Sequence, residues 1–288
     1  MRLLRFDGGR IGVVRGEEVV DVSEAAGVDP DFWPPVGMVQ LIRDFDALRP
    51  SIEEASKSGA AKPLSAVTLE TPIPWPNKLI AFPANYHKHA EEMSSTYRAT
   101  TRGFFQKSAS SLSGPSDAIV LPDMPDRRMD HECELAIVIG RQGRHISEAD
   151  AFAHIFGYSC LVDVTVRGQQ ERVMRKSYDS FCPVGPWIVS ADEVTDPTAL
   201  GMKLWVGDEL RQDANTRDLV LDIPGMIAMA SSVMTLYPGD IIATGTPEGV
   251  GPIQPGDTVT IEIEQIGRMD LPVVRGEGGW NPAFDEES

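Results

Sequence analysis

Residues 130–140 read DHECELAIVIG, and this stretch predicts more about the chain than any other. Its second half is an apolar run that ends at a glycine, which is typical of a buried β-strand. Because alternate side chains of a strand share a face, Glu132 and Glu134 should point to one side and Leu135, Ile137 and Ile139 to the other. Two carboxylates held side by side in apolar surroundings repel each other and lose hydration, and a divalent cation would offset both costs.

A third carboxylate has a similar setting at Asp163, within the apolar segment CLVDV at 160–164. A lone aspartate in such a strand needs a partner for its charge. Three carboxylates, completed by water and substrate oxygens, match an open octahedral metal site. Oxygen-only ligands suit Mg²⁺, Mn²⁺ or Ca²⁺ better than zinc. From the pattern alone, a strand with an ordinary solvent-facing polar side is the alternative.

The order of predicted elements indicates an α+β fold with a small N-terminal domain. Residues 1–22 alternate apolar and polar side chains around turn signals, which predicts a meander of short strands, and residues 37–60 have helical spacing. Prolines cluster at 72–76, so we place a boundary that gives domains of 1–70 and 71–288. Strands and helices of the larger domain do not alternate regularly, which favours a mixed, strand-rich α+β domain over a doubly wound sheet.

Local signals place several elements in the larger domain. Residues 79–82 read as a short buried strand, and Asn85 should cap a helix that runs to Met93. Ser147 should cap a second helix over 147–156. Two further predictions are a hairpin with a Gly-Asp turn over 202–212 and a helix with an apolar face over 222–236.

The composition bounds the partners and the compartment. The 288 residues carry 26 Lys and Arg against 43 Asp and Glu, and the formal charge of −17 repels nucleic acid and anionic membranes. No apolar stretch approaches the ~20 residues of a spanning helix, and the charged N-terminus does not resemble a signal peptide. The three cysteines lack a Cys-x-x-Cys spacing, which argues against a disulfide framework or a zinc site. We therefore expect a cytoplasmic protein that acts on a small molecule.

The carboxylate pattern resembles the metal motif of the fumarylacetoacetate hydrolase family, in which a Glu-x-Glu strand precedes a buried aspartate at a similar distance. Here 29 positions separate Glu134 from Asp163. The resemblance extends over residues 72–274, and further blocks follow in the family's order: PNKLIAFPANYHKHAEEM at 76–93, FFQKSASSLSGPSDAIVLP at 104–122, KSYDSFCPVGPWIV at 176–189 and GDIIATGTPEGVG at 239–251.

This resemblance implies a β-roll catalytic domain of the family's type, a homodimer and a set of site residues. The implied residues are Glu132, Glu134 and Asp163 as metal ligands, His89 and Glu92 as the pair that activates water, Lys176 as a stabiliser of the substrate or of developing negative charge, and Gln170 and Thr246 as substrate contacts. Ala84 stands where glycine is usual in the family, Gly168 where an acidic residue is usual, and 267–274 lacks an asparagine that is common nearby. These departures bear on the substrate more than on the metal.

Elementary chemistry supports part of this assignment. His89 and Glu92 are three residues apart in a predicted helix, so a carboxylate could hold one imidazole nitrogen while the other acts as a base. A solvated charged helix would show the same residues. Lys176 follows two arginines in a very acidic chain, where it could stabilise an oxyanion or belong to a solvated basic face. The Gly-rich loop around Thr246 lacks the lysine of a phosphate loop, and is either a plain turn or a point of close approach to a ligand.

Together these features predict a metal-dependent hydrolase that cleaves a carbon–carbon bond in a small acidic 1,3-dicarbonyl compound of the acylpyruvate or fumarylacetoacetate type, in the catabolism of aromatic compounds. An isomerase of the 5-carboxymethyl-2-hydroxymuconate type or an oxaloacetate decarboxylase would use the same metal and proton-transfer groups without attack by water. A non-catalytic ligand-binding protein on the same fold is a third alternative.

Overall fold

The computed structural model describes residues 1–93, 96, 98–124, 126–279 and 282–284 of the chain. It is a mixed, strand-rich α+β fold. The strands in this part of the chain are β1 Arg2–Phe6, β2 Arg10–Arg15, β3 Glu18–Asp21, β4 Ala61–Pro63, β5 Leu69–Glu70, β6 Leu79–Ala81, β7 Phe105–Gln106, β8 Leu112–Ser113, β9 Ile119–Leu121, β10 Met129–His131, β11 Cys133–Ile139, β12 Ile155–Val162, β13 Thr165–Val166, β14 Cys182–Ser190, β15 Gly201–Val206, β16 Glu209–Asn215, β17 Ile241–Ala243, β18 Gly251–Pro252, β19 Thr258–Ile263 and β20 Gly267–Arg275.

The helices are short and lie between the strands. They are α1 Gly37–Arg43, α2 Phe45–Ser58, α3 His87–Glu92, α4 Ala99–Arg102, α5 Arg172–Arg175 and α6 Ile223–Val233, with 3₁₀ turns at Leu64–Ala66, Ala109–Ser111, Glu148–His154, Ala191–Glu193, Thr216–Asp218 and Pro282–Phe284. Ser147 caps its element as predicted, although that element is a 3₁₀ helix rather than an α-helix. None of the described helices has the length and apolar character needed to cross a bilayer.

A twelve-stranded sheet forms the centre of the molecule, in the order β4-β3-β2-β1-β14-β12-β11-β17-β6-β7, with β5 beside β1 and β8 beside β14. Every residue of β11 and β12 is buried, as the apolar run from Leu135 predicted. Leu135, Ile137 and Ile139 pack into one hydrophobic cluster, and Ala136 and Val138 pack into another on the opposite face. The alternation inferred from the sequence is therefore confirmed.

The N-terminal segment extends this same sheet. Strands β1 to β3 form the predicted meander, and β1 pairs antiparallel with β14 through Arg2–Val189 and Leu3–Ile188. The second hydrophobic cluster contains side chains from both sides of residue 70. The division into domains at that residue stays a prediction, while the observed pairing shows that the segment packs as an edge of the central sheet.

Two smaller sheets complete the architecture. The five-stranded sheet has the order β16-β15-β19-β20-β9 and includes the predicted hairpin, which turns at Gly207 and Asp208. The three-stranded sheet β13-β10-β18 lies where the chain enters β11 and leaves β12. Its strands β10 and β13 therefore flank the positions of Glu132 and Asp163.

The prediction that Asn85 caps the helix containing His89 is wrong. Helix α3 begins at His87 after Tyr86, and neither residue receives a side-chain cap from Asn85. The buried Asn85 amide instead donates to the carbonyls of Leu221 and Thr244, each at 2.9 Å, and accepts from the Leu221 N–H at 2.8 Å. Partners distant in sequence satisfy the amide better than the local helix end.

Candidate metal centre and active site

Strand pairing brings the three predicted carboxylates together. Glu132 lies at the junction of β10 and β11, and Asp163 follows β12 directly, while Cys133 pairs with Val162 in the ladder between them. The Asp163 N–H donates to the Glu132 carbonyl at 2.9 Å, which fixes the two segments side by side. One oxygen from each of Glu132, Glu134 and Asp163 lies within 4.8 Å of the others, and all three residues are buried.

Basic side chains compensate two of the three carboxylates. The Lys176 ammonium donates to Glu132 Oε2 and to Asp163 Oδ2, both at 2.7 Å. Lys107 donates to Asp163 Oδ1 and to the Phe181 carbonyl, and Arg167 Nη2 lies 3.0 Å from Glu132 Oε1. Lys176 therefore contacts the predicted metal ligands themselves.

Glu134 differs from its neighbours, since none of the described lysines or arginines lies within ion-pair distance of it. Within the described part of the chain, its Oε2 accepts the Gly245 N–H, at 2.8 Å. Burial, and then the charges of Asp163 and Glu132, raise the pKa of Glu134 well above its usual value. Burial acts in the same direction on Glu132, but Lys176 and Arg167 outweigh it and lower the pKa of Glu132 to about 2.

This donor set fits a hard divalent cation. Three buried carboxylates offer only oxygen ligands, which is the chemistry that Mg²⁺, Mn²⁺ and Ca²⁺ select. An ionised Glu134 without a cationic side chain is costly to bury, and a bound dication would compensate its charge.

A cavity of about 330 Å³ opens over the carboxylates. Its wall includes all three acids together with His89, Thr246 and, from the segment between β13 and β14, Arg167, Arg172, Arg175 and Lys176. A second cavity, of about 480 Å³, contains none of the three acids and lies around residues 121–129 and 252–255. The chemistry of the first cavity makes it the candidate active site.

His89 reaches this cavity from α3. Its ring is buried, and Nδ1 lies 3.3 Å from Glu92 Oε2, as the spacing of three residues predicted. Glu92 Oε1 in turn accepts the Gly249 N–H at 3.1 Å, so the pair is tied to the Gly-rich loop. The arrangement orients the imidazole and leaves Nε2 to exchange a proton. Just before α3, Ala84 has a φ of 50°, a left-handed conformation that explains why glycine is usual there.

Thr246 also lines the cavity, and Gln212 fixes the direction of its hydrogen bonding. The Cys133 N–H donates to Gln212 Oε1 at 3.0 Å, so the other end of this amide must be the donor. Gln212 Nε2 then donates to Thr246 Oγ1 at 2.9 Å. The Thr246 hydroxyl accepts this bond and keeps its own hydrogen for a ligand.

Gln170 is the predicted site residue that the structure places apart. Its Nε2 donates to the Ala283 carbonyl, its Oε1 is buried, and the side chain is not part of the cavity wall. Its role as a substrate contact stays a prediction. Of the other histidines, His131 is buried against Gln212, and His154 contacts the Arg141 carbonyl.

Three polar residues that contact the acids or Thr246 received no role from the sequence: Lys107, Arg167 and Gln212. Lys107 lies just after β7 and reaches Asp163 across 56 residues, while Gln212 lies on β16 and reaches Cys133 across 79. In the sequence, Lys107 stands directly after a short strand, within the block at 104–122 that resembles the family. A lysine in such a position is ordinarily expected to be exposed to solvent, so little in the sequence indicated its buried contact.

Replacing Lys107 with methionine is expected to lower the free energy of unfolding of the metal-free protein by about 3 kcal/mol. The change removes one partner of a fully buried ion pair, and Lys176 offsets only part of the loss at Asp163. Denaturant unfolding with chelator present measures the effect. Lys57→Met, at an exposed position of α2, is the matched control, and an equal loss in both variants would contradict the assigned contact.

Comparison with known proteins agrees with this geometry. Residues 78–274, about two thirds of the chain, match the family described as Fumarylacetoacetate (FAA) hydrolase C-terminal. A maleylpyruvate hydrolase from Aquipseudomonas alcaligenes is 43% identical over 285 residues, which cover 95% of this chain and 99% of that protein.

Two solved structures extend the comparison. The maleylpyruvate hydrolase from Sphingobium sp. SYK-6, in complex with manganese(II) and pyruvate, is 58% identical with a TM-score of 0.89, over 96% of this chain and 100% of that one. The 2-hydroxyhepta-2,4-diene-1,7-dioate isomerase from Mycobacterium marinum is 33% identical with a TM-score of 0.74, over 96% and 98%. Fold, site and sequence agree, and the chain belongs to the fumarylacetoacetate hydrolase family.

Proposed function

We propose that the protein is a metal-dependent hydrolase that cleaves the bond between the acyl carbonyl carbon and the methylene carbon of an acylpyruvate such as maleylpyruvate. The observation that carries the proposal is the shared cavity, in which three buried carboxylates and His89 face one volume, while Glu92 contacts His89 Nδ1. The similarity to two maleylpyruvate hydrolases supports the substrate class, and the manganese and pyruvate bound to one of them support a metal and an oxo acid in the corresponding place.

Glu132, Glu134 and Asp163 would hold the cation. When bound, Mg²⁺ or Mn²⁺ supplies a Lewis acid that polarises the substrate carbonyl oxygens and favours negative charge on them. The buried setting of the three acids keeps bulk water away from this charge, which strengthens every electrostatic interaction in the cavity.

The residues of the chain perform the proton transfers. His89 takes a proton from water, whose oxygen adds to the acyl carbonyl carbon, while Glu92 stabilises the protonated imidazole. The carbon–carbon bond then breaks, and its electron pair passes to the methylene carbon of the pyruvate half. That carbon takes up a proton, so one water and one acylpyruvate give a carboxylic acid and pyruvate. Lys176, fixed by Glu132 and Asp163, adds positive charge beside the oxygens that become negative.

Isomerisation is the second candidate, because a structurally similar relative is a dienedioate isomerase. His89 and Glu92 could move a proton between substrate carbons in the same cavity without attack by water. The two functions differ in their products, since only hydrolysis breaks the carbon skeleton.

Turnover in ¹⁸O-labelled water distinguishes these candidates. The Mn²⁺-loaded protein should convert maleylpyruvate to pyruvate and maleate, with label in a maleate carboxylate and no turnover after chelation. A rearranged product with an intact skeleton would show an isomerase, and release of carbon dioxide from oxaloacetate would show a decarboxylase. No chelator-sensitive turnover of any of these acids would show a non-catalytic binding protein.

Thr246→Val is expected to raise KM for the acylpyruvate by about 10- to 100-fold while kcat changes little. The change removes one hydrogen bond to a charged substrate group, and Gln212 Nε2 retains the Pro247 carbonyl at 3.0 Å as an acceptor. Thr246→Ser keeps the hydroxyl and should retain the wild-type KM. An unchanged KM in the valine variant would show that this hydroxyl does not contact the substrate.

A further inference from the structure

The cavity wall is rich in basic side chains. Four of its residues are arginine or lysine and three are carboxylates, in a chain whose formal charge is −17. A bound dication would add to this excess. A site with surplus positive charge in a strongly acidic protein favours a ligand that brings several negative charges of its own.

Lys176 and Arg167 have acidic partners among the described residues. Lys176 is bound to Glu132 and Asp163. Arg167 Nε donates to the fully buried Asp130 at 2.7 Å, and its Nη2 lies beside Glu132. Both are therefore part of the frame that holds the carboxylates in place.

Arg175 has a different kind of environment. Its Nε donates to the Gln170 carbonyl at 2.7 Å, and its Nη1 to the Val166 carbonyl at 3.1 Å and to Thr165 Oγ1 at 3.3 Å. In the described ranges no carboxylate lies within ion-pair distance of this guanidinium. Neutral acceptors fix its orientation, and none of the described carboxylates is bonded directly to it.

An arginine held in this manner is prepared to bind an anion. A guanidinium stays charged in proteins, and because Nε and Nη1 are already engaged, the two N–H groups of Nη2 remain to donate to a carboxylate. Burial is the largest cause that lowers the pKa of Arg175; the charge of Glu132 opposes it, and the charges of Arg167 and Arg172 add to it. Its Nη2 makes no hydrogen bond with the described residues, so a ligand can reach it. Two backbone carbonyls and the Thr165 hydroxyl already hold the Arg175 side chain in one orientation, so binding a ligand costs little further side-chain entropy.

We propose that Arg175 binds a second carboxylate of the substrate, at the end of the acyl chain remote from the pyruvoyl group, and so selects dicarboxylic over monocarboxylic acylpyruvates. The inference rests on the proposed function. Arg172 lines the same cavity from the start of α5 and adds to the positive field. Arg175 is the last residue of α5, and Lys176 follows it directly. The same short segment therefore holds both Lys176, which binds Glu132 and Asp163, and Arg175, which we assign to the substrate tail.

The experiment compares two substrates in matched variants. Maleylpyruvate carries a tail carboxylate, and acetylpyruvate carries a methyl group instead. Arg175→Met removes the charge, Arg175→Lys keeps it without the planar fork, and Arg144→Met at an exposed position makes the same change in net charge. Values of kcat and KM are measured for both substrates with Mn²⁺, together with the thermal midpoint and the Kd for pyruvate, which lacks a tail.

In Arg175→Met, kcat/KM for maleylpyruvate should fall by about 10- to 100-fold through KM, the loss expected for one charge-assisted hydrogen bond, while the value for acetylpyruvate changes by less than about 3-fold. Arg175→Lys should recover part of the loss, and pyruvate binding should be unchanged. Equal losses for both substrates, or a weaker Kd for pyruvate, would overturn the proposal in favour of a brace for residues 165–170. Wild-type protein that hydrolyses neither substrate would instead overturn the proposed function, and this inference with it.

Discussion

Replacing Glu134 with glutamine is expected to remove turnover and to weaken Mn²⁺ binding by more than about 100-fold. Removing a residue that only hydrogen-bonds to a metal ligand typically lowers the metal affinity by about 10- to 100-fold. Because Glu134 is assigned as a ligand itself, its loss should lower the affinity further. It is also the acid of the three that no described lysine or arginine compensates, so a cation bound here depends on it most strongly.

The same substitution should not destabilise the metal-free protein. A neutral amide is less costly to bury beside two carboxylates than a third carboxylate is, and its oxygen can still accept the Gly245 N–H. Unfolding with chelator and Mn²⁺ titration therefore separate lost binding from misfolding. Glu91→Gln, at an exposed position of α3, provides the control with the same change in charge. Wild-type Mn²⁺ affinity in Glu134→Gln would contradict the assignment.

His89→Ala should lower kcat by about 10²- to 10⁴-fold, the range that general-base catalysis contributes. The buried imidazole lines the cavity and is oriented by Glu92, which the Gly249 N–H holds. Because His89 is not one of the three clustered acids, the affinity for Mn²⁺ should remain within about 3-fold of the wild type, a change of less than ~1 kcal/mol.

His87→Ala tests whether the effect is specific to the cavity. His87 belongs to the same helix but is exposed, so its loss should leave kcat nearly unchanged. Single-turnover rates with maleylpyruvate, measured at saturating Mn²⁺, report the chemical step for both variants. Full activity in His89→Ala, or equal losses at the two positions, would remove His89 from its assigned role.

Patterns local in sequence were sufficient to place the acids. The alternation in 130–140 put Glu132 and Glu134 on one side of a buried strand, and the apolar setting of Asp163 marked it as a charge in need of a partner. Helical spacing predicted that His89 and Glu92 are neighbours, while their role as a pair was implied by the family resemblance. In each case the interaction joins residues of one element or of adjacent strands, where period and register determine the geometry.

Contacts between distant segments were not predictable in this way. Asparagine is a common helix-capping residue, yet the hydrogen-bond partners of Asn85 lie 136 and 159 residues further along the chain. Lys107 and Gln212 resemble ordinary surface residues until the sheets bring them against Asp163 and Cys133. Tertiary partners override local preference at these positions, and no single segment contains the information needed to foresee them.

Crystals grown with Mn²⁺ and pyruvate give the most direct test of the central claim, through anomalous diffraction at a wavelength where manganese scatters strongly. One manganese peak is predicted within about 2.0–2.3 Å of an oxygen from each of Glu132, Glu134 and Asp163, at the floor of the cavity that His89 lines. A peak held by other side chains, or no peak at full Mn²⁺ saturation, would contradict the account.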